Sequence, residues 1–244
     1  SFRSKFNKDF FKLYKKFCPG PITFILDLSK NSQISKIATN KKNTLAVRFP
    51  NHPVTRNLLK KLKFPLAAPS ANLSSKVSAV QSTEVKEDFG GNVKLVLEGG
   101  KSSIGIESTI IDIRNQPKIL RLGGLEVSNI QKLLKRKIII KKNTTKISVP
   151  GQSKLHYSPG IPLRTNAKKV KSNEAYVLIK KTKRIKPNHF FLTKNNNLKE
   201  AAKNLYSTLR LIKKSKFKSI AVQRIPDTGF GKTINDRLIR ASKF

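Results

Sequence analysis

"PLAAPSANLSSKVSA", residues 65–79, has an apolar, rigid first half and then sets Ser70, Asn72, Ser74, Ser75 and Ser78 within nine residues. The first half reads as a short buried strand. The second is a loop of hydroxyls and one amide, suited either to turn and capping duty or to holding an anion. A strand that runs into a polar loop is the pattern of an open α/β sheet, where ligands collect at strand ends.

Working outward, both flanks alternate strand and helix patterns. Upstream, Phe6, Phe10, Phe11, Leu13, Tyr14 and Phe17 form a helical stripe ended by "CPGP" (18–21). Strands follow at 22–28 and 44–49, then an amphipathic helix beginning near Pro53. Downstream, "STEVKEDFG" (82–90) has a Ser/Thr start and a glycine stop, which predicts a capped helix. Strands are expected at "VKLVLE" (93–98), "STIIDI" (108–113) and "KILRLG" (118–123), then a helix over 127–135 and a strand at 137–140. From 141 to 168 three prolines, two glycines and no periodicity predict an extended connection. Beyond it "AYVLIK", "HFFLT", a long helix from 197, "KSIAVQRI" and "INDRLIRA" alternate β and α. The fold class is therefore α/β. We expect a first domain over 1–142, a structured linker or lid over 143–168, and a small Rossmann-like domain over 169–244.

Composition narrows the function. No run of eighteen apolar residues occurs, so no membrane span is expected, and no secretory signal opens the chain. The single cysteine, Cys18, cannot build a disulfide framework and fits a cytoplasmic protein, with a buried apolar role as its plain reading. His52, His156 and His189 lie too far apart for a zinc motif, and neither a P-loop nor G-x-G-x-x-G is present. With only 13 acidic residues, no carboxylate pair stands out, and no protein nucleophile is expected. The net charge is +39, which suits contact with double-stranded RNA or tRNA. A general drift toward lysine suits it better, because 40 lysines against 12 arginines are spread along the chain rather than gathered in a stripe.

Small polar residues at strand ends recur near arginines. Thr44, Ala46 and Arg48 share one strand face, and Ala68, Ser70 and Asn72 share another if the extended form persists. Glu107 and Ser108 begin a strand, and Arg121 ends one. Arginine can fork onto a carboxylate or a phosphate. Each residue also has an ordinary reading: Ser70 and Asn72 as turn residues, Ser108 as a strand-edge serine, Arg121 as a solvated charge.

Taken together, "CPGPITFIL", "LAVRFPNHP", "PLAAPSANLSS", "GIESTIIDI" and "ILRLGGL" closely resemble, in order and spacing, the YrdC-like domain of threonylcarbamoyl-AMP synthases. "VPGQSKLHYSPG" is similar to the interdomain linker of the two-domain members, and "GFGKTINDRLIRA" to the end of their C-terminal domain. The resemblance implies an open twisted YrdC-like domain and a synthase joining L-threonine, bicarbonate or CO2, and ATP into threonylcarbamoyl-AMP. Mg2+ would accompany the ATP, and a partner transferase would carry the product to tRNA. It implies ATP contacts at Thr44, Ser70, Asn72, Ser78, Arg121, His156 and Tyr157, and L-threonine contacts at Arg48, Ala68 and Ser108. No metal ligand or catalytic nucleophile is implied.

The chain departs from that pattern in places. Ser75 stands where the family usually has glycine, Ala79 and Val80 where it has Pro-Thr, Leu122 where proline is common, and Leu155 where arginine is common. With Ser at position 1 and no methionine, the reading is a chain lacking the family's N-terminal segment and its Lys-x-Arg element, and therefore inactive by itself. Two other functions fit the residues less fully: a carbamoyltransferase or regulator on the same fold, and a non-catalytic RNA binder.

Overall fold

The structure, a computed structural model, describes residues 7–141, 149 and 156–243. The chain forms two compact units, each built from two separate stretches: Ser1–Pro69 with Glu107–Val149, and Ser70–Ile106 with Pro150–Phe244.

The first unit holds α1 (Lys8–Phe17), β1 (Ile22–Asp27), β2 (Thr44–Arg48), α2 (Pro53–Lys61), β3 (Thr109–Asp112), β4 (Lys118–Arg121), α4 (Val127–Leu134) and β5 (Ile139–Ile140). The strands make one sheet in the order β2-β1-β3-β4-β5. β1 runs antiparallel to β2 and parallel to β3, and β4 is antiparallel to β3. Alternation sends Ile22, Phe24, Leu26, Ile111, Ile113 and Ile119 to one face, where they pack with Phe10 and Leu13 of α1 and Ile130 and Leu134 of α4. Ile25, Ile110 and Val149 form a smaller apolar cluster with Leu120 packed on it. α1 starts at Asn7, whose side chain accepts from the Phe10 amide at 2.9 Å. Pro53 opens α2 as the first-turn proline expected there.

The second unit contains α3 (Ser82–Phe89), β6 (Leu163–Arg164), β7 (Glu174–Lys180), β8 (His189–Thr193), α5 (Leu198–Lys214), β9 (Ser219–Val222) and α6 (Phe230–Ala241). Its sheet, β6-β9-β7-β8, is parallel throughout. Ala201, Leu205, Leu209 and Ile212 of α5 and Ile234 and Leu238 of α6 close the core with Val177, Leu192, Ile220 and Val222. Val77, near the end of the quoted stretch, and Val80, just beyond it, belong to this same core.

Two expected strands do not form: 65–68 and 93–98 carry no regular structure. Leu95 and Leu97 of the second are 74% and 49% exposed. α3 also begins without a side-chain cap, since Gln81 is its N-cap and Ser82 instead donates to Glu98 at 2.5 Å. Gly90 does stop α3 with φ +54. Of the expected linker, residues 142–148 and 150–155 lie outside the described residues. Its end supplies β6, which pairs with β9.

Candidate active site

In the first unit, strand register assembles a polar row. Arg48 of β2 lies opposite Thr23 of β1, Thr23 beside Ile110 of β3, and Ile110 opposite Arg121 of β4. The row spans three strand gaps, roughly 14 Å between its end arginines. Strict alternation would have put Arg121 on the same side as Ile119, the helix-packed face. The β3–β4 ladder slips by one residue between Ile110 and Ile111, and this carries Arg121 to the other side. There Arg121 Nε and Nη2 donate to the Ser108 carbonyl at 3.1 and 2.9 Å, and Nη2 also reaches Ser108 Oγ at 3.1 Å. Ser108 Oγ lies 2.7 Å from Thr23 Oγ1, so buried hydroxyl, buried hydroxyl and guanidinium form a chain.

Local packing fixes this chain. Thr109 Oγ1 donates to the Leu125 carbonyl at 2.6 Å and accepts the Leu125 amide at 3.0 Å. That draws the "GG" turn so close that a Cβ on Gly123 would stand 2.4 Å from the Ser108 carbonyl carbon and the Thr109 nitrogen. Arg48 is held more loosely, by one long bond from Nε to the Gly20 carbonyl at 3.4 Å. Protein packed around its guanidinium lowers its pKa from the ordinary arginine value even though the residue keeps an exposed side. It stays charged, because an arginine guanidinium is not deprotonated in proteins. Thr44 pairs across from Asp27 at the far end of the same strand face. Ala68 is exposed.

The second unit holds the other expected residues. Asn72 Nδ2 donates to the carbonyls of Leu73 (2.8 Å) and Lys76 (3.2 Å), and its amide donates to the Ser70 carbonyl at 3.0 Å. Asn72 thus ties the loop to itself, and its Oδ1 is a buried acceptor with no hydrogen-bond partner among the described residues. Ser70 is exposed and Ser78 is buried. Ser75 has φ +64, the left-handed conformation that explains why glycine is usual there. Tyr157 is fully buried against Tyr206 (ring centroids 5.7 Å) and His156 (4.0 Å), with the Arg237 guanidinium 4.7 Å from its ring centre. Arg237 Nε donates to Tyr206 Oη at 3.1 Å, and Nη1 to Asp236 at 2.5 Å.

Thr23, missing from the sequence-derived set, had one usable signal: as the polar position in "ITFILD", it faces away from Ile22, Phe24 and Leu26. An open groove of about 240 Å3, lined by Phe49, Pro50, Arg56, Leu59 and Lys60, contains none of the expected site residues. Burial pushes the Cys18 thiol up to about 11, consistent with a packing role. Among the described residues, no group of three or more His, Cys, Asp or Glu could hold a metal ion, and no helix is long and apolar enough to cross a membrane.

Comparison with known proteins gives a consistent result. A family model described as "Telomere recombination" matches residues 1–123, and one described as "Threonylcarbamoyl-AMP synthase, C-terminal domain" matches 125–243. The threonylcarbamoyl-AMP synthase of Pyrococcus abyssi is 30% identical over 252 residues, covering 95% of this chain and 73% of that protein. That of Bacillus subtilis is 30% identical over 250 residues, covering 94% and 72%. The crystal structure of P. abyssi Sua5 complexed with L-threonine aligns with a TM-score of 0.86 at 29% identity, covering 98% of this chain and 75% of that one. With two family models in tandem along its length and nearly all of this chain matched to its relatives, the chain belongs to the threonylcarbamoyl-AMP synthase family.

Proposed function

We propose that the protein makes L-threonylcarbamoyl-AMP and pyrophosphate from L-threonine, bicarbonate or CO2, and ATP, although this chain by itself is expected to turn over little. The observation that carries this reading is the row Arg48–Thr23–Ile110–Arg121 with Ser108 bonded into it. It sets two guanidiniums about buried hydroxyls, which suits a zwitterionic amino acid and a phosphate chain. The P. abyssi structure with L-threonine supports the amino-acid half.

In chemical terms, the threonine nitrogen adds to the carbon of CO2 and loses a proton, giving a carbamate. A carbamate oxygen then attacks the α-phosphorus, and the bond to the β-phosphate oxygen breaks to release pyrophosphate. Neither step needs a protein nucleophile, so the protein's share is positioning and charge neutralisation. In the first unit we assign Arg48, Ala68 and Ser108 to L-threonine, and Thr44 and Arg121 to ATP. In the second, Ser70, Asn72, Ser78, His156 and Tyr157 are assigned to ATP. Ser108 keeps one position for this task, because a hydroxyl has one donor and two acceptor positions, of which Arg121 uses one acceptor and Thr23 one more. The described residues offer no metal cage, so magnesium would arrive on the oxygens of the triphosphate, as part of the substrate. The product is an activated carbamoyl group, to be consumed by a transferase acting on tRNA in the cytoplasm.

The test is pyrophosphate release with each substrate left out in turn, with labelled bicarbonate traced by mass spectrometry into an adenylate that also contains threonine. Release that requires all three substrates is expected. Release indifferent to threonine or bicarbonate would overturn the reading.

A further inference from the structure

We propose that Arg210, on α5, is a positioning residue for the adenylation site through the backbone of Ser78. The proposal rests on the assignment of Ser78 to ATP. Arg210 Nη2 donates to the Val77 carbonyl at 2.7 Å, although 133 residues separate them. Nη1 and Nη2 also grip Asp88 of α3 at 3.0 and 2.5 Å, and Nε lies 3.5 Å from Glu84 Oε2. That Glu84 oxygen accepts the Val80 amide at 2.7 Å. Three residues apart, a carbonyl and an amide of the loop are therefore fastened to one guanidinium–carboxylate cluster.

The Val77 carbonyl and the Ser78 amide belong to one planar trans peptide and point in opposite directions. Locking that carbonyl onto Arg210 therefore aims the Ser78 N–H away from α5 and fixes the Cα from which its hydroxyl springs. The loop is held on the Ser75 side as well: Val77 donates to the Ser158 carbonyl at 3.2 Å, and Ser158 donates to the Ser75 carbonyl at 2.8 Å. Between these ties and the Glu84–Val80 bond, Arg210 fixes the orientation of the Val77–Ser78 peptide. Burial disfavours charge on Arg210, but Asp88, with Glu84 and Glu87, outweighs it and keeps the guanidinium ionised.

Arg210→Lys keeps a cation for Asp88 but cannot reach Asp88 and the Val77 carbonyl together. Displacing a phosphate contact by about 1 Å can cost up to about 100-fold in rate. We expect kcat/KM for ATP to fall at least about 10-fold, threonine binding measured by calorimetry to stay unchanged, and Arg210→Lys combined with Ser78→Ala to be no worse than the poorer single variant. Lys214→Ala is the control: it breaks a tie between the same helices, Lys214 to Glu87 at 2.7 Å, without touching the loop, and should leave ATP kinetics alone. If Arg210→Lys fails to fold, Asp88→Asn loosens the same guanidinium and should raise KM for ATP in the same direction. Normal ATP kinetics in these variants beside an impaired Ser78→Ala would overturn the role of Arg210 and leave the Ser78 assignment standing. A Ser78→Ala enzyme with normal ATP kinetics would remove the assignment on which the proposal rests. Equal losses from Lys214→Ala and Arg210→Lys would reduce the cluster to a helix tie and overturn the proposal.

Discussion

Arg48 and Arg121 bear the same charge but are anchored differently: one long bond holds the first, three bonds to Ser108 hold the second. Arg48→Lys should accordingly weaken threonine binding about 10-fold by losing the fork, with little change for ATP. A titration showing both ligands weakened equally would mean that the wrong ligand is assigned. Arg121→Lys also loses its double hold on the Ser108 carbonyl, and adenylate formation should drop about 100-fold while the melting temperature moves little. Ser75 permits a different check. A non-glycine residue in the left-handed region costs about 1–2 kcal/mol, and glycine would return roughly 0.5–1 kcal/mol of that through chain entropy. Ser75→Gly should therefore stabilise by roughly 0.5 kcal/mol, seen as a small rise in melting temperature; a fall would show that the serine side chain is needed there. Alternation made Thr44 and Arg48 legible as one face from sequence. The side taken by Arg121 was not legible, because a one-residue ladder slip leaves no mark in composition or period.

Among the elements, helices and paired strands were readable wherever a pattern met a partner. The segments 65–68 and 93–98 have strand patterns without strands: β-propensity only becomes structure when a neighbour's backbone completes the ladder, and no described strand pairs with either. β6 was missed for the opposite reason, since two residues in a proline-rich stretch carry no period to detect. Its attachment is polar as well as backbone. Arg164 of β6 donates from Nε and Nη2 to Glu174 of β7 at 2.9 and 2.7 Å, and the Lys171 amide adds a third bond at 2.8 Å. These bonds, Arg164 foremost, hold the Glu174 carboxyl below the usual range against the opposing pull of burial. A depressed folded value means the contribution is complete above the unfolded carboxylate's pKa, about 4.3, and fades as pH falls through the lower folded one. Acid unfolding followed by circular dichroism should show this limb, and Glu174→Gln should flatten it while lowering stability at neutral pH by about 2 kcal/mol. An unchanged acid limb in the variant would remove Glu174 from the account.

At the scale of the whole chain, 52 basic residues face 13 acidic ones, and several acids are already committed: Glu84 and Asp88 to Arg210, Glu174 to Arg164, Asp112 to Arg114. Most of the positive charge therefore has no acidic partner available, and polyanions should bind through phosphate neutralisation alone. We expect tRNA and an unrelated RNA of equal length to bind alike at low salt and to dissociate together as salt rises. A preference for tRNA that survives physiological salt would instead reveal a shaped surface. The two-stretch make-up of the second unit also bears on how the chain is born. Asp88 leaves the ribosome 122 residues ahead of the Arg210 that grips it, on the order of ten seconds at ordinary translation speeds. Val77 and Val80 wait for core partners that begin only at Tyr157, and the acidic face of α3 waits for Arg210 itself. Nascent chains stalled before α5 emerges should be cut by protease within 70–106, while released chains resist at the same bonds. This makes the segment a client for chaperones during synthesis, and codon speed between 107 and 210 a lever on yield.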